Sequence, residues 1–198
     1  MTGSRVVDDV FASTLRDGAA VLFRRLEPAD IDAVIALHDT LSDRERYLRF
    51  FTMHPAHLKT VADRLTDGSS EDYALGAFES GRLIGVASYV VCGRPETAEL
   101  AIVVAHNDHL RGVGTVMLRR LAQIARANGI QHLVADVLTT NHLMFKLLHD
   151  ASLHPQHKSY DSGVVHVDID LAAVTHEADC ATAVLSELSH SLGQKDFS

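Results

Sequence analysis

The chain has 198 residues, of which 46% are hydrophobic and 22% charged, and its formal net charge is −8 at pH 7. This length and composition fit one globular domain with short extensions, and an acidic chain without a Lys/Arg run lacks the charge attraction behind most nucleic-acid binding. No apolar run approaches the about 20 residues that span a bilayer, and the first residues lack the apolar core of a signal peptide, so we expect a cytoplasmic protein without membrane contact.

The patterns along the chain predict a mixed sheet with helices on both faces. A turn at Asp17-Gly18 joins the first two strands, and Pro28 stands near the start of the first amphipathic helix. The middle of the chain predicts a three-stranded antiparallel meander. The predicted strands cover residues 10–15, 20–26, 73–78, 83–91, 98–104, 132–138, 158–160 and 164–169. Further helices are predicted over 43–51, 55–66, from Val113 to Asn128, and over 141–151.

The two ends of the chain differ from this pattern. Residues 1–9 are expected to be disordered, residues 10–171 form the predicted domain, and residues 172–198 carry a narrow apolar stripe on a short helix. The stripe consists of Ala181, Val184, Leu185, Leu188 and Leu192. It could dock on its own domain, pair with a second subunit in a homodimer, or begin a linker. Cys92 and Cys180, the two cysteines, are expected to be reduced thiols.

A glycine turn follows the strand that ends at Val104. It contains Gly112 and Gly114, and a helical pattern starts beside it. Without side chains at these positions, several backbone N–H groups can point at an anion, and the helix adds its positive end. A pyrophosphate fits such a turn, although a tight strand-to-helix connection is the alternative. The turn is neither a dinucleotide fingerprint nor a P-loop, because a third glycine and a Gly-Lys-Ser/Thr sequence are both missing.

The order His109-x-x-Gly112-x-Gly114 resembles the acyl-CoA loop of the GNAT superfamily of N-acyltransferases, where His109 replaces the family's Arg or Gln. Asn141 and Met144 stand in a segment that resembles the family's Asn-x-x-Met/Ala helix. Residues 15–18, 23–30 and 41–51 are similar to the GNAT domains of bacterial protein-lysine acetyltransferases of the Pat type. The resemblance spans roughly residues 15–170 and implies the GNAT fold, an α/β fold with a mostly antiparallel sheet and a splayed strand pair.

The resemblance also implies a site for acetyl-CoA as cosubstrate, with no metal. The implied cofactor-binding residues are Val103, Val104, His109, Leu110, Arg111, Gly112, Val113, Gly114, Thr115, Asn141 and Met144. Glu99 is implied as the general base, and strand alternation places it on one face with Ala101 and Val103. A backbone N–H near Val103 or Val104 is implied as the oxyanion donor, and Asn141 is also expected to cap its helix.

Two further side-chain types are relevant to the chemistry. The position of the family's general-acid Tyr holds Leu148, which fits the Pat-type branch, and Tyr89 or Tyr160 could substitute as the acid. The spacing of His149, His154 and His157 matches no zinc signature, so no metal is expected from them.

The resemblance thus implies an N-acetyltransferase in which an amine attacks acetyl-CoA directly within a ternary complex. A protein lysine is the first expected acceptor. A small amine or polyamine is the alternative within enzymes, and a catalytically weak acyl-CoA-binding sensor is the alternative outside them.

Overall fold

The computed structural model describes residues 10–50, 58–68 and 72–173. The predictions for residues 1–9 and for the apolar stripe beyond residue 173 lie outside these ranges. Within them, no helix is long and apolar enough to cross a membrane.

The described residues form eight strands and five α-helices in the predicted order. The strands are β1 Val10–Thr14, β2 Ala20–Arg25, β3 Tyr73–Glu79, β4 Arg82–Val91, β5 Thr97–Val104, β6 His132–Leu138, β7 His157–Asp161 and β8 Val164–Asp170. The helices are α1 Ile31–Asp39, α2 Asp43–Phe50, α3 Leu58–Thr66, α4 Val113–Ala127 and α5 His142–Asp150. Short 3₁₀ turns at Pro28–Asp30 and His106–Asp108 precede α1 and α4.

All strands join one sheet in the order β1-β2-β3-β4-β5-β6-β8-β7. Among the described strands, only β5 and β6 are parallel neighbours, and their pairing is short, ending at Glu99 opposite Val134. Beyond this last pair, β5 continues to Val104 and β6 to Leu138 without pairing to each other. The predicted mixed sheet and splayed strand pair are therefore confirmed.

Helices cover both faces of the sheet, because alternate strand residues point to opposite sides. On one face, Met117 and Leu121 of α4 pack in a cluster with Leu75 of β3. On the other face, Val34 of α1 packs in a second cluster with Phe78 and Val103. Helix α2 contacts β5 near the point where β5 and β6 diverge.

The entry into α1 is fixed by a hydrogen-bonded carboxylate. Asp30 accepts hydrogen bonds from both terminal nitrogens of Arg24 at 2.7 and 2.8 Å, and from the backbone N–H of Glu27 at 2.9 Å. These bonds to Arg24 outweigh burial and lower the pKa of Asp30. The Arg24 guanidinium also lies over the ring of Phe78, 4.1 Å from its centroid.

Candidate active site

A cavity of about 830 Å³ opens where β5 and β6 diverge. The unpaired ends of the two strands form one part of its wall, and α2, the turn before α4 and one side of α5 form much of the rest. Its volume lies in the range of ligand and cofactor sites. Most of the site residues expected from the sequence line it: Glu99, Val103, Val104, His109, Leu110, Gly112, Gly114, Thr115, Asn141 and Met144.

The glycine turn presents a helix N-terminus to this cavity. Gly112 is the N-cap of α4 and has φ of +96°, a left-handed conformation that strains residues with a side chain. A β-carbon on Gly114 would lie 3.1 Å from Leu147 Cδ1, so the close approach of α4 and α5 leaves little room for a side chain there. The first turn of α4, which is described throughout, carries no acidic residue. This end of the cavity therefore suits an anion.

Arg16 adds a cation beside the turn. Its backbone N–H donates to the carbonyl of Arg111 at 3.3 Å, and its side chain lines the cavity next to Gly112. The sequence did not identify Arg16 as a site residue, because its segment follows β1 and reaches the turn only through folding. Together, the N-terminus of α4 and this guanidinium form an electropositive pole of the cavity, and the carboxylate of Asp150, which lines the same cavity, opposes part of the Arg16 charge.

The free edge of β5 offers backbone hydrogen-bonding groups to the cavity. The N–H of Ala105 donates to Ile84 of β4 at 2.9 Å. Because successive peptide groups alternate in direction along a strand, the N–H and C=O of Val104 point away from β4, toward the splay. His109 Nε2 donates to the Val104 carbonyl at 2.8 Å on that side. Of the two predicted oxyanion donors, the alternation favours the N–H of Val104 over that of Val103.

Glu99 stands at the last pair between β5 and β6, and its exposed side chain lines the cavity with Arg49. Burial lowers the pKa of the Arg49 guanidinium, and the negative charge of Glu99 partly opposes that shift. Asp136 follows Val134 by two positions on β6 and therefore shares the face that carries Glu99. Two carboxylates thus lie on this wall of the cavity.

Two predicted cofactor-binding residues direct their side chains elsewhere. Arg111 donates to Asp17 and Glu79, each at 2.5 Å, and to the buried Asp108. These hydrogen bonds lower the pKa of both Asp17 and Glu79. Val113 is 1% exposed and belongs to the first core cluster. Neither side chain is part of the described cavity lining, so only the backbone of these two residues can contact a cofactor.

Asn141 and Met144 form the entry to α5. The side-chain oxygen of Asn141 accepts the backbone N–H of Met144 at 3.2 Å, which confirms the predicted N-cap. Met144 also packs against the first core cluster.

The described part of the cavity wall contains neither of the two tyrosines considered as acids. Leu148, at the family's tyrosine position, is buried in the core. Tyr89 is buried and accepts a hydrogen bond from Asn128 at 2.8 Å. Tyr160 lies on β7 and is 72% exposed. The geometry therefore gives no support to either tyrosine as a proton donor.

The sequence model of the acetyltransferase (GNAT) family matches residues 36–149, more than half of the chain. The chain belongs to the GNAT family. It is therefore an acetyltransferase that uses acetyl-CoA.

Individual relatives agree with this assignment. Acetyltransferase PA5475 of Pseudomonas aeruginosa is 26% identical over 144 residues, which cover 70% of this chain and 77% of the relative. The GNAT domain of S. lividans PAT superposes with a TM-score of 0.74 at 26% identity, covering 83% of this chain and 98% of that domain. The structure of yncA from Salmonella typhimurium, solved with its cofactor acetyl-CoA, has a TM-score of 0.59 at 17% identity, with 80% and 96% covered, and is similar in fold.

Proposed function

We propose that this GNAT enzyme acetylates the side-chain amine of a protein lysine, with Glu99 as the general base. The observation that carries the proposal is the position of Glu99. Its carboxylate lines the cavity at the last β5–β6 pair, where the unpaired strand edge begins.

The electropositive pole suits the pyrophosphate of acetyl-CoA. Backbone N–H groups at Gly112 and Gly114 would bind the phosphate oxygens, and Arg16 would supply a charge-assisted contact. The pantetheine arm would then run between the diverging strands, pairing with the free edge of β5 by strand addition. Asn141 and Met144 line the same route and would contact the arm.

The chemistry requires a base for the amine and a donor for the thioester oxygen. Glu99 would accept the proton of the attacking amine, and the N–H of Val104 would stabilise the charge that develops on the carbonyl oxygen. The new C–N bond forms as the C–S bond breaks, and CoA leaves as a thiolate, which is stable enough to depart without a tyrosine acid. Base and donor lie five positions apart on the same strand, on the order of 16 Å along it, so the proton would pass from the amine to Glu99 through bridging water.

Two carboxylates on the wall near the strand divergence suit a cationic acceptor. Glu99 and Asp136 share one face beside the splay, and the whole chain carries a net charge of −8. The segments of residues 15–18, 23–30 and 41–51, which resemble Pat-type enzymes, support a protein lysine as that cation. α2 belongs to the last of these segments, and its Glu45, Leu48 and Arg49 line the cavity.

The test measures CoA thiol release from acetyl-CoA with lysine-containing peptides and, separately, with spermidine. We expect release with a peptide, and Glu99→Gln should lower turnover by about 100-fold while leaving the Kd for acetyl-CoA unchanged. Glu96→Gln is the matched control, because Glu96 precedes the same strand but does not line the cavity.

Each alternative gives a different result. Unchanged turnover in Glu99→Gln would exclude Glu99 as the base. CoA release with spermidine, and none with any of the peptides, would identify a small-amine enzyme. Acetyl-CoA binding without any amine-dependent release would identify a sensor.

A further inference from the structure

Three potential metal ligands from two separate segments meet at the edge of the cavity. Glu45 lies on α2. His106 begins the 3₁₀ turn His106–Asp108, and His109 directly follows that turn. One ligand atom from each lies within 4.8 Å of the other two. Glu45 Oε1 is 2.9 Å from His106 Nδ1 and 3.7 Å from His109 Nε2. No local sequence pattern indicates this group, because Glu45 is distant from both histidines along the chain.

These separations suit a small cation. Zinc binds imidazole nitrogen and carboxylate oxygen at about 2.0–2.2 Å, so neighbouring ligand atoms in a tetrahedral site are about 3.3 Å apart. The two distances to Glu45 Oε1 lie on either side of that value. Shifts of about half an ångström at these two contacts would match them to a tetrahedral ion.

The carboxylate is already oriented for this role. Glu45 Oε2 accepts the backbone N–H of Ser42 at 2.8 Å and its hydroxyl at 2.7 Å, which leaves Oε1 directed at the histidines. Ser42 therefore holds the carboxylate as a hydrogen-bonded metal ligand is normally held.

We propose that Glu45, His106 and His109 bind a divalent transition-metal ion of the zinc class, with water in a fourth position. Two imidazoles and one carboxylate favour zinc, cobalt or nickel over magnesium and calcium, which prefer oxygen ligands alone. The neighbouring carboxylate of Asp108 is not available, because it accepts hydrogen bonds from Arg82 and Arg111. This inference does not depend on the proposed acceptor or on Glu99.

Ion binding requires a rearrangement of two protons. Without the ion, His106 Nδ1 faces Glu45, and His109 Nε2 donates its proton to the Val104 carbonyl. In each neutral imidazole the proton would move to the other ring nitrogen, so that the first nitrogen can bind the ion and no net proton is released. The bound ion would tie α2 to the turn before α4, two elements that line the acetyl-CoA cavity.

The test uses the full chain without a histidine tag, freed of metal by a chelator and titrated with Zn²⁺ against a chromogenic zinc indicator. We expect one Zn²⁺ per chain with a Kd at or below about 1 μM, or about −8 kcal/mol. Bound Co²⁺ should give the visible absorption of a four-coordinate site. Failure to find saturable binding would overturn the proposal, whatever the result of the acetyltransferase assays.

Variants locate the site. Glu45→Gln and His106→Ala should each weaken Zn²⁺ binding by at least about tenfold. His132→Ala and His166→Ala are matched controls, because each of these histidines pairs with a carboxylate, at 3.0 and 2.7 Å, on β6 and β8 away from the cluster.

The controls should retain the wild-type affinity for Zn²⁺. Circular dichroism and the thermal midpoint establish that each variant is folded, and the near-isosteric Glu45→Gln keeps the test decisive if His106→Ala does not fold. An equal loss in the control variants, or unchanged binding in both Glu45→Gln and His106→Ala, would contradict the proposed ligands.

Discussion

Arg16 packs against Gly112: a β-carbon added to the glycine would lie 3.7 Å from Arg16 Cγ. The cation and the left-handed N-cap of α4 are thus adjacent, although they are far apart along the chain. Since a guanidinium and exposed backbone N–H groups both bind phosphate, their contributions to acetyl-CoA affinity can be separated by mutation.

Arg16→Gln is expected to raise the Kd for acetyl-CoA about tenfold, because a hydrogen bond to a charged group contributes about 1.5–3 kcal/mol. Calorimetric titration measures the change, and the wild-type affinity should also fall more steeply with salt. Arg126→Gln removes an exposed arginine near the other end of α4 and should leave the Kd unchanged. Equal affinity in Arg16→Gln and wild type would remove Arg16 from the phosphate site.

Gly112→Glu is expected to abolish acetyl-CoA binding in the same calorimetric titration, because a carboxylate would repel the pyrophosphate and a side chain would cover the backbone N–H groups. Gly129→Glu is the matched control. Gly129 also has a positive φ, +87° against +96° at Gly112, but it follows the other end of α4, outside the cavity. The two variants should lose similar stability, and only Gly112→Glu should lose binding. Retained binding there would mean that the cosubstrate does not use this turn.

Asn141 caps the N-terminus of α5 and also lines the cavity. Two substitutions distinguish these roles. Asn141→Ala should lower the free energy of unfolding by about 1 kcal/mol, whereas Asn141→Ser should keep most of it because serine is also a good N-cap. Both should weaken acetyl-CoA binding, since neither side chain retains the amide. Chemical denaturation and calorimetry measure the two effects. Full recovery of binding in Asn141→Ser would indicate that the residue acts only as a cap.

The Arg24–Asp30 pair predicts an acid-sensitive contribution to stability. Hydrogen bonding to Arg24 lowers the pKa of Asp30 below its ordinary 3.8, so the folded state favours the ionised carboxylate. The contribution is complete above pH 3.8 and is lost as the pH falls through the lower folded-state pKa. Asp30→Asn should therefore cost roughly 2 kcal/mol at pH 7 and make the acid-side decline shallower.

Urea denaturation between pH 3 and pH 7 measures this dependence. Asp32→Asn alters an exposed carboxylate in the first turn of α1. This variant should keep both the stability and its pH slope close to those of the wild type. An Asp30→Asn variant with the wild-type pH slope would assign the acid sensitivity to other carboxylates.

The elements of the sheet could be predicted because their signals are local. Short apolar runs between turn residues mark the strands, and Gly18, which has a positive φ, stands where a turn was expected. The glycine turn was predicted for the same reason, because the backbone conformation favours glycine at position 112 and close helix packing favours it at position 114. A glycine at such a position can be recognised from a single sequence.

The missed site residues depend on contacts between distant segments. Arg16 reaches the turn only after β1 and β2 have joined the sheet, and Glu45 meets His106 only when α2 lies beside β5. The direction of the Arg111 side chain could not be predicted, because an irregular turn has no periodicity that assigns a face. Tertiary packing determines all three positions.

The Arg111 contacts have a consequence for insertion tolerance. Asp17 belongs to the turn between β1 and β2, and Glu79 is the last residue of β3, so the two hairpin turns hold the segment before α4 through one guanidinium. Exposed hairpin turns are normally the places where a chain accepts added residues. Here an added peptide at either turn would displace a carboxylate that positions the glycine turn, and we expect a lower affinity for acetyl-CoA without any change in the residues that line the cavity.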